Sequence, residues 1–112
     1  MKGDKMFLSH IRDAAEIVQQ YAKDGKEFVL GDEKTLTSIM WHLAVIGEAT
    51  KHLSNDLRSA YPQIPWKRIA GFRDRLIHGY YEIDPEFVWE VVETHLPYLL
   101  SEINKALSPK NE

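Results

Sequence analysis

Apolar residues return at intervals of three and four along most of this chain, and that period leaves room for little besides helices. Phe7, Leu8, Ile11, Ala14, Ala15, Val18, Tyr21 and Ala22 make one stripe of a first helix over about residues 5–24, and Gly25 stands where a helix stop is expected. Leu36, Ile39, Met40, Leu43, Ile46, Ala49 and Leu53 repeat the spacing from about residue 33 to 53. Phe87, Val88, Val91, Val92, His95, Leu96, Leu99, Ile103 and Leu107 carry a last helix, started by Asp84 as cap and Pro85 at the first helical position. Pro97 lies inside it, lacks the N–H that a helix needs there, and predicts a kink. The fold class is therefore all-α, most simply an up-and-down bundle of four to five helices in a single domain over residues 1–112.

The segments between these stripes are less regular. KEFVLG, residues 26–31, reads either as a helical turn or as an extended connector. Ser54 can cap a brief turn through SNDLRSAY that Pro62 closes. PQIPWKRIAGF, residues 62–72, holds two prolines and a glycine and reads as a connector with one short turn at residues 66–70. A further helix follows, which Gly79 should stop.

A chain of 112 residues builds a modest core, so oligomerisation would help it bury apolar surface. Cysteine is absent, which excludes disulfides and thiolate chemistry and fits a reducing cytoplasm. No apolar run approaches the roughly 18 residues needed to cross a bilayer, so neither a membrane span nor a signal peptide is expected.

A net charge of −3 argues against holding nucleic acid by bulk electrostatics. The distribution is uneven, however. Residues 62–81 set Lys67, Arg68, Arg73 and Arg75 against Asp74 alone, whereas residues 82–112 carry seven acids against Lys105 and Lys110. Positive potential gathers around one short stretch, as suits a small anionic segment bound locally.

That stretch is RDRLIHGYY, residues 73–81. On a helix, Arg73 and His78 are separated by about 500° of rotation, which leaves them about 140° apart on the cylinder. Such a pair converges on one groove only at a boundary between elements or between subunits. Asp74 can hold a neighbouring arginine or the histidine in orientation. The bland readings are a histidine that caps a helix end, a surface Arg73–Asp74 ion pair of little energetic value, and Lys67, Arg68 and Arg75 as a solvated basic rim. Glu48 is placed to orient Arg73, because a carboxylate inside a bundle wants a cationic partner. His42 and His52 lack zinc-helix spacing, while His10 and His95 read as face or core residues. Trp41, Trp66 and Trp89 read as core or interface anchors.

IGEATKHL (46–53), YPQIPWKRIAGFRDRLIHGYY (61–81) and the acidic VWEVV helix resemble the HepT-like branch of the HEPN superfamily. The HEPN pattern is an arginine followed, after four to six residues, by a histidine, with a polar residue next to the arginine; Arg73, His78 and Asp74 match it. The branch adds a tyrosine two places after the histidine, here Tyr80. Asp74 stands where an asparagine or histidine is common.

The resemblance implies an endoribonuclease toxin of a toxin–antitoxin system that acts on tRNA or other RNA as a homodimer, with two motifs in one groove and no metal or other cofactor. Arg73 and His78 would then be catalytic, Asp74 and Glu48 supporting, and Arg75, Lys67 and Arg68 RNA-binding. It also implies a minimal nucleotidyltransferase antitoxin that silences the toxin by transferring AMP to Tyr80. The residues' own chemistry is compatible: metal-free RNA cleavage needs a base, an acid and a cation. The alternative is a non-catalytic nucleotide- or partner-binding helical subunit of a nucleotidyltransferase.

Overall fold

The structure, a computed structural model, describes residues 2–108 apart from the side chains of Lys2 and Tyr80. Among the described residues there is no strand, as the three-and-four spacing requires. Helix α1 (Lys2–Ala22) is followed by α2 (Lys26–Gly31), α3 (Glu33–Lys51), α4 (Asn55–Ala60), α5 (Trp66–His78), α6 (Pro85–Glu90) and α7 (Leu96–Leu107).

Most boundaries have a local cause. Gly25 adopts φ +92°, open to glycine at little steric cost, so the chain turns there and α2 begins at once. The ambiguous KEFVLG segment is thus helical, and Val29 buries its apolar face. Asp32 caps α3 by accepting from Thr35 N at 3.1 Å, Ser54 caps α4 by accepting from Leu57 N at 3.1 Å, and Asp84 caps α6 by accepting from Glu86 N at 3.0 Å.

One expectation needs correction, and another takes a more specific form. The connector after Pro62 ends sooner than its composition suggests: α5 runs unbroken from Trp66 through Gly71 to His78. Buried Trp66 and Ile64 anchor its start, and the Trp66 indole donates to the carbonyls of Arg58 (3.2 Å) and Tyr61 (3.1 Å). Gly71 costs the helix about 1 kcal/mol relative to alanine, too little to break it against that packing. The disturbance at Pro97 takes the form of a π-helical turn, Val91–His95, in which Leu96 N donates five residues back to Val91 O. Pro97 offers no N–H to the Glu93 carbonyl, and the widened turn upstream joins α6 and α7 in one continuous helical run.

The helices pair up and down around one core. Phe7 near the start of α1 stacks on His52 after α3, while Tyr21 near the end of α1 meets His42 on α3. Arg58 of α4 donates to the Thr50 carbonyl at 2.9 Å, and the Trp66 indole donates to the Arg58 carbonyl, so α4 ties the start of α5 to the end of α3. Ile11 and Val18 of α1, Ile39 and Ile46 of α3, and Leu96 and Ile103 of α7 form the buried centre. Asp4 ties the start of α1 to the α4 cap, accepting from Ser54 N at 2.8 Å and Ser54 Oγ at 2.6 Å. Trp66 is buried, but Trp41 is 63% exposed, so it is not a core residue of the chain alone. No described helix is long and apolar enough to cross a membrane.

Candidate functional site

The site is set where α5 crosses α3. At Gly47 the helices approach so closely that a β-carbon there would lie 2.9 Å from the Ile69 carbonyl oxygen and 3.2 Å from Arg73 Cα, and closer still to Arg73 Cβ. Hydrogen replaces a side chain at this one point, and the base of Arg73 rests on the α3 backbone. Its side chain, 26% exposed, then runs past the next residue of α3.

There the guanidinium is clamped. Arg73 Nε pairs with Glu48 Oε1 at 3.2 Å, and Arg73 Nη1 donates to Asp74 Oδ1 at 3.0 Å. Lys51 Nζ donates to the same Asp74 oxygen at 2.7 Å. The other oxygen of Glu48 lies 3.2 Å from His52 Nε2, and the His52 ring stacks on Phe7 with centroids 4.8 Å apart. The hydrogen bonds from Lys51 and then from Arg73 hold the Asp74 carboxyl below the usual range, so it is ionised at neutral pH. Among the described residues nothing else accepts from Nη2 or from the second proton of Nη1, so the planar fork, held on two sides, offers them in a fixed plane to another acceptor.

Arg73, Asp74 and Glu48 are therefore brought together. His78 is not joined to them: it is the exposed last residue of α5, and among the described residues no hydrogen bond or ion pair links it to Arg73. Gly79 ends the helix, its N–H donating to Arg75 O at 2.9 Å, and a 3-10 turn, Tyr80–Glu82, follows. The backbone of Tyr80 starts that turn, while its side chain, the part on which the AMP-transfer expectation falls, lies outside the described residues. Tyr81 is 75% exposed.

Lys67, Arg68 and Arg75 are all exposed, but they do not form one rim. Arg68 and Arg75 border a groove on the far side of α5 from α3's Glu48, and Lys67 does not. Among the described residues no group of three or more His, Cys, Asp or Glu side chains is placed to hold a metal ion.

Sequence reasoning missed Gly47, Lys51 and His52. A signal existed for two of them, since Glu48, Lys51 and His52 stand at three- and four-residue spacing and share one helix face. For Gly47 there was none: a glycine inside an apolar helix does not announce which helix crosses it. Chemically, the arrangement offers an oriented guanidinium for an anionic oxygen and an exposed imidazole, a group able to accept or donate a proton.

A family model described as "Ribonuclease HepT-like" matches residues 11–106. A protein of Thermococcus cleftensis named "Probable ribonuclease HepT" is 33% identical over 105 residues, covering 93% of this chain and 96% of its own. Two proteins that each carry the name "Putative RNase" are also similar. One, from Methanocaldococcus jannaschii, is 38% identical over 100 residues, covering 89% of this chain and 80% of its own. The other, from Caldanaerobacter subterraneus subsp. tengcongensis, is 32% identical over 108 residues, covering 96% of each. No solved structure matches the chain.

Proposed function

The chain belongs to the ribonuclease HepT-like family, and from that premise we propose that it is a metal-independent endoribonuclease whose cleaving groups are Arg73 and His78. The observation that carries this reading is the clamped guanidinium: Glu48 and Asp74 fix Arg73 in orientation while leaving donors on its open side. A fork held this way is preorganised for the non-bridging oxygens of a phosphodiester, where charge grows during attack. Neutral His78 takes the proton of a ribose 2′-hydroxyl. The 2′-oxygen bonds to phosphorus, the bond from phosphorus to the 5′-oxygen breaks, and a protonated imidazole supplies the leaving oxygen with its proton. The products are a 2′,3′-cyclic phosphate and a 5′-hydroxyl.

One helix keeps Arg73 and His78 about 140° apart, so the reading places the reaction where two copies of the chain oppose their α5 ends. One neutral and one protonated His78 then share the proton transfers. Exposed Ile77 and Tyr81 on either side of the motif's end are apolar surface that such a homodimer would cover. The substrate is RNA, with tRNA the first choice to test. In this reading the protein is the toxin of a toxin–antitoxin pair, silenced when a minimal nucleotidyltransferase adds AMP to Tyr80. The support for that last step is the tyrosine two places beyond His78.

The test is incubation of the purified protein with tRNA in the presence of a chelator. Cleavage that survives chelation and disappears in His78→Ala is the expected result. Intact RNA together with measurable ATP or AMP binding refutes the nuclease and marks a nucleotide-binding subunit. Intact mass after incubation with ATP and the partner nucleotidyltransferase reads the modification, and an adenylylated peptide that lacks Tyr80 refutes its assignment.

A further inference from the structure

Helix α5 has a second face that carries cations. Arg68, Phe72 and Arg75 recur at intervals of four and three, on the side turned away from Glu48, and look into a groove of about 590 Å³ between α5 and the rod formed by α6, the π-turn and α7. Its volume falls in the range of about 300–1,000 Å³ typical of small-ligand sites. The floor is apolar, with Leu43 and Ile46 of α3 beneath and Leu99 of α7 beyond.

The lining has an unusual balance of charge. The chain carries 17 acidic residues and a net charge of −3, yet among the described residues no carboxylate lines this groove, whereas Arg68, Arg75 and His95 do. The acids of α6 and the π-turn face elsewhere: Glu86, Glu90 and Glu93 border a separate trough with Lys26. The groove's aromatic groups are already arranged for stacking. Phe72 and Phe87 meet edge to face, centroids 5.6 Å apart, and the Arg75 guanidinium lies over the Phe87 ring at 5.8 Å. Phe87 stays 37% exposed and Tyr98 47%, so flat apolar faces are open to a ligand.

An apolar floor alone would suit a helix of another protein, and cations alone would suit a phosphate. Both together, free of acids, fit a flat ring that carries a phosphate. Unpaired RNA bases bind proteins in this way, stacked on aromatic rings and guanidinium planes. Position along α5 connects the groove to the chemistry, since Arg75 stands three residues before His78 and shares its face. We infer that the groove is a nucleobase subsite, which receives one unpaired base next to the scissile phosphodiester, stacked on the Arg75–Phe87 pair, with Arg68 and Arg75 on the adjoining phosphate. The inference rests on the ribonuclease reading for the identity of the strand.

The probe is a short single-stranded oligoribonucleotide, 2′-O-methylated so that it cannot be cut, with a series in which one nucleotide at a time is abasic. Wild-type protein is expected to bind one abasic member about tenfold more weakly than the parent, the order of one lost base stack. Phe87→Ala should bind the parent strand about tenfold more weakly and lose its preference over that abasic member, while Phe87→Tyr restores both. A flat abasic series in the wild type overturns the inference without any variant. So does an abasic penalty that persists undiminished in Phe87→Ala. Loss of binding in Phe87→Ala accompanied by a fall from dimer to monomer in sedimentation also overturns it, and assigns the groove to a second copy of the chain. Cleavage of the unmethylated strand is measured in parallel: the predicted abasic pattern without cleavage supports the subsite and refutes the nuclease, and cleavage with a flat series does the reverse.

Discussion

Adding one methyl group at Gly47 should damage this protein more than adding one at Gly71, although both glycines lie inside helices. The new β-carbon at Gly47 would sit 2.9 Å from the Ile69 carbonyl oxygen and 3.2 Å from Arg73 Cα, with Arg73 Cβ nearer still. None of these atoms can swing aside, because all belong to the α5 backbone or are bonded directly to it. Ordinary contact therefore requires α5 to move away from α3 by something near 1 Å. Overpacking of this kind costs about 1–3 kcal/mol, and a clash with backbone belongs at the upper end. Alanine recovers about 1 kcal/mol over glycine inside a helix, which leaves a net loss of about 2 kcal/mol. For a chain of this length that corresponds to a fall in Tm of roughly 8 °C. At Gly71 nothing lies within 4 Å of the added carbon, so only the helix term remains, and Gly71→Ala should gain about 0.5–1 kcal/mol. Urea unfolding of the two variants beside the wild type measures both signs. If Gly47→Ala proves as stable as the wild type or more so, the close crossing is not what seats Arg73, and the reasoning from it fails.

Arg73→Lys keeps the charge but cannot serve Glu48 and Asp74 with one planar fork; RNA cleavage should fall about 100-fold in kcat, and wild-type turnover would show that a point charge suffices. Asp4→Ala strands the N–H and hydroxyl of Ser54 at a part-buried junction and should cost about 2 kcal/mol in chemical unfolding; a loss under a few tenths would mean that water replaces the carboxylate freely. Acid should destabilise the fold below about pH 4. Burial raises the Asp4 carboxyl, but with the two Ser54 hydrogen bonds lowering it the net shift is downward; Thr35 lowers Asp32, Lys51 and then Arg73 lower Asp74, and Gln63 and then Lys105 lower Glu102. Folded values below unfolded ones mean that this stabilisation is complete above the unfolded pKa and is lost as pH falls through the folded one. Tm measured from pH 7 down to pH 2 should be nearly level at first and then drop, less steeply in Asp4→Ala; equal slopes in the two proteins would remove Asp4 from that account.

The helices were legible in the sequence because their signals are local. Three-and-four spacing, the caps at Ser54 and Asp84 and the turn at Gly25 each act within a few residues of their own position, and the structure places them accordingly. Where local signals conflicted, packing decided: Gly71 and the prolines before it suggested a longer connector, but the buried Trp66 starts α5 early. The candidate site divides along the same line. Arg73 and His78 were visible as a motif because residue type and spacing carry that information; Glu48 does pair with Arg73, but from the surface, 48% exposed, and not from inside the bundle as expected from the sequence.

Which residue would clamp Arg73 from the neighbouring helix, and on which face of α5 each cation would lie, depends on where α3 crosses α5. That crossing is fixed by the hydrogen of Gly47 and by the burial of Ile46, Ile64 and Trp66. Such contacts join residues far apart in the chain, and their energy exists only once several helices have come together. Sequence alone determined which helices form and which side chains carry chemistry. Tertiary packing decided that Arg73 is held by Glu48 and Asp74, whereas Arg75, two residues later, faces an acid-free groove.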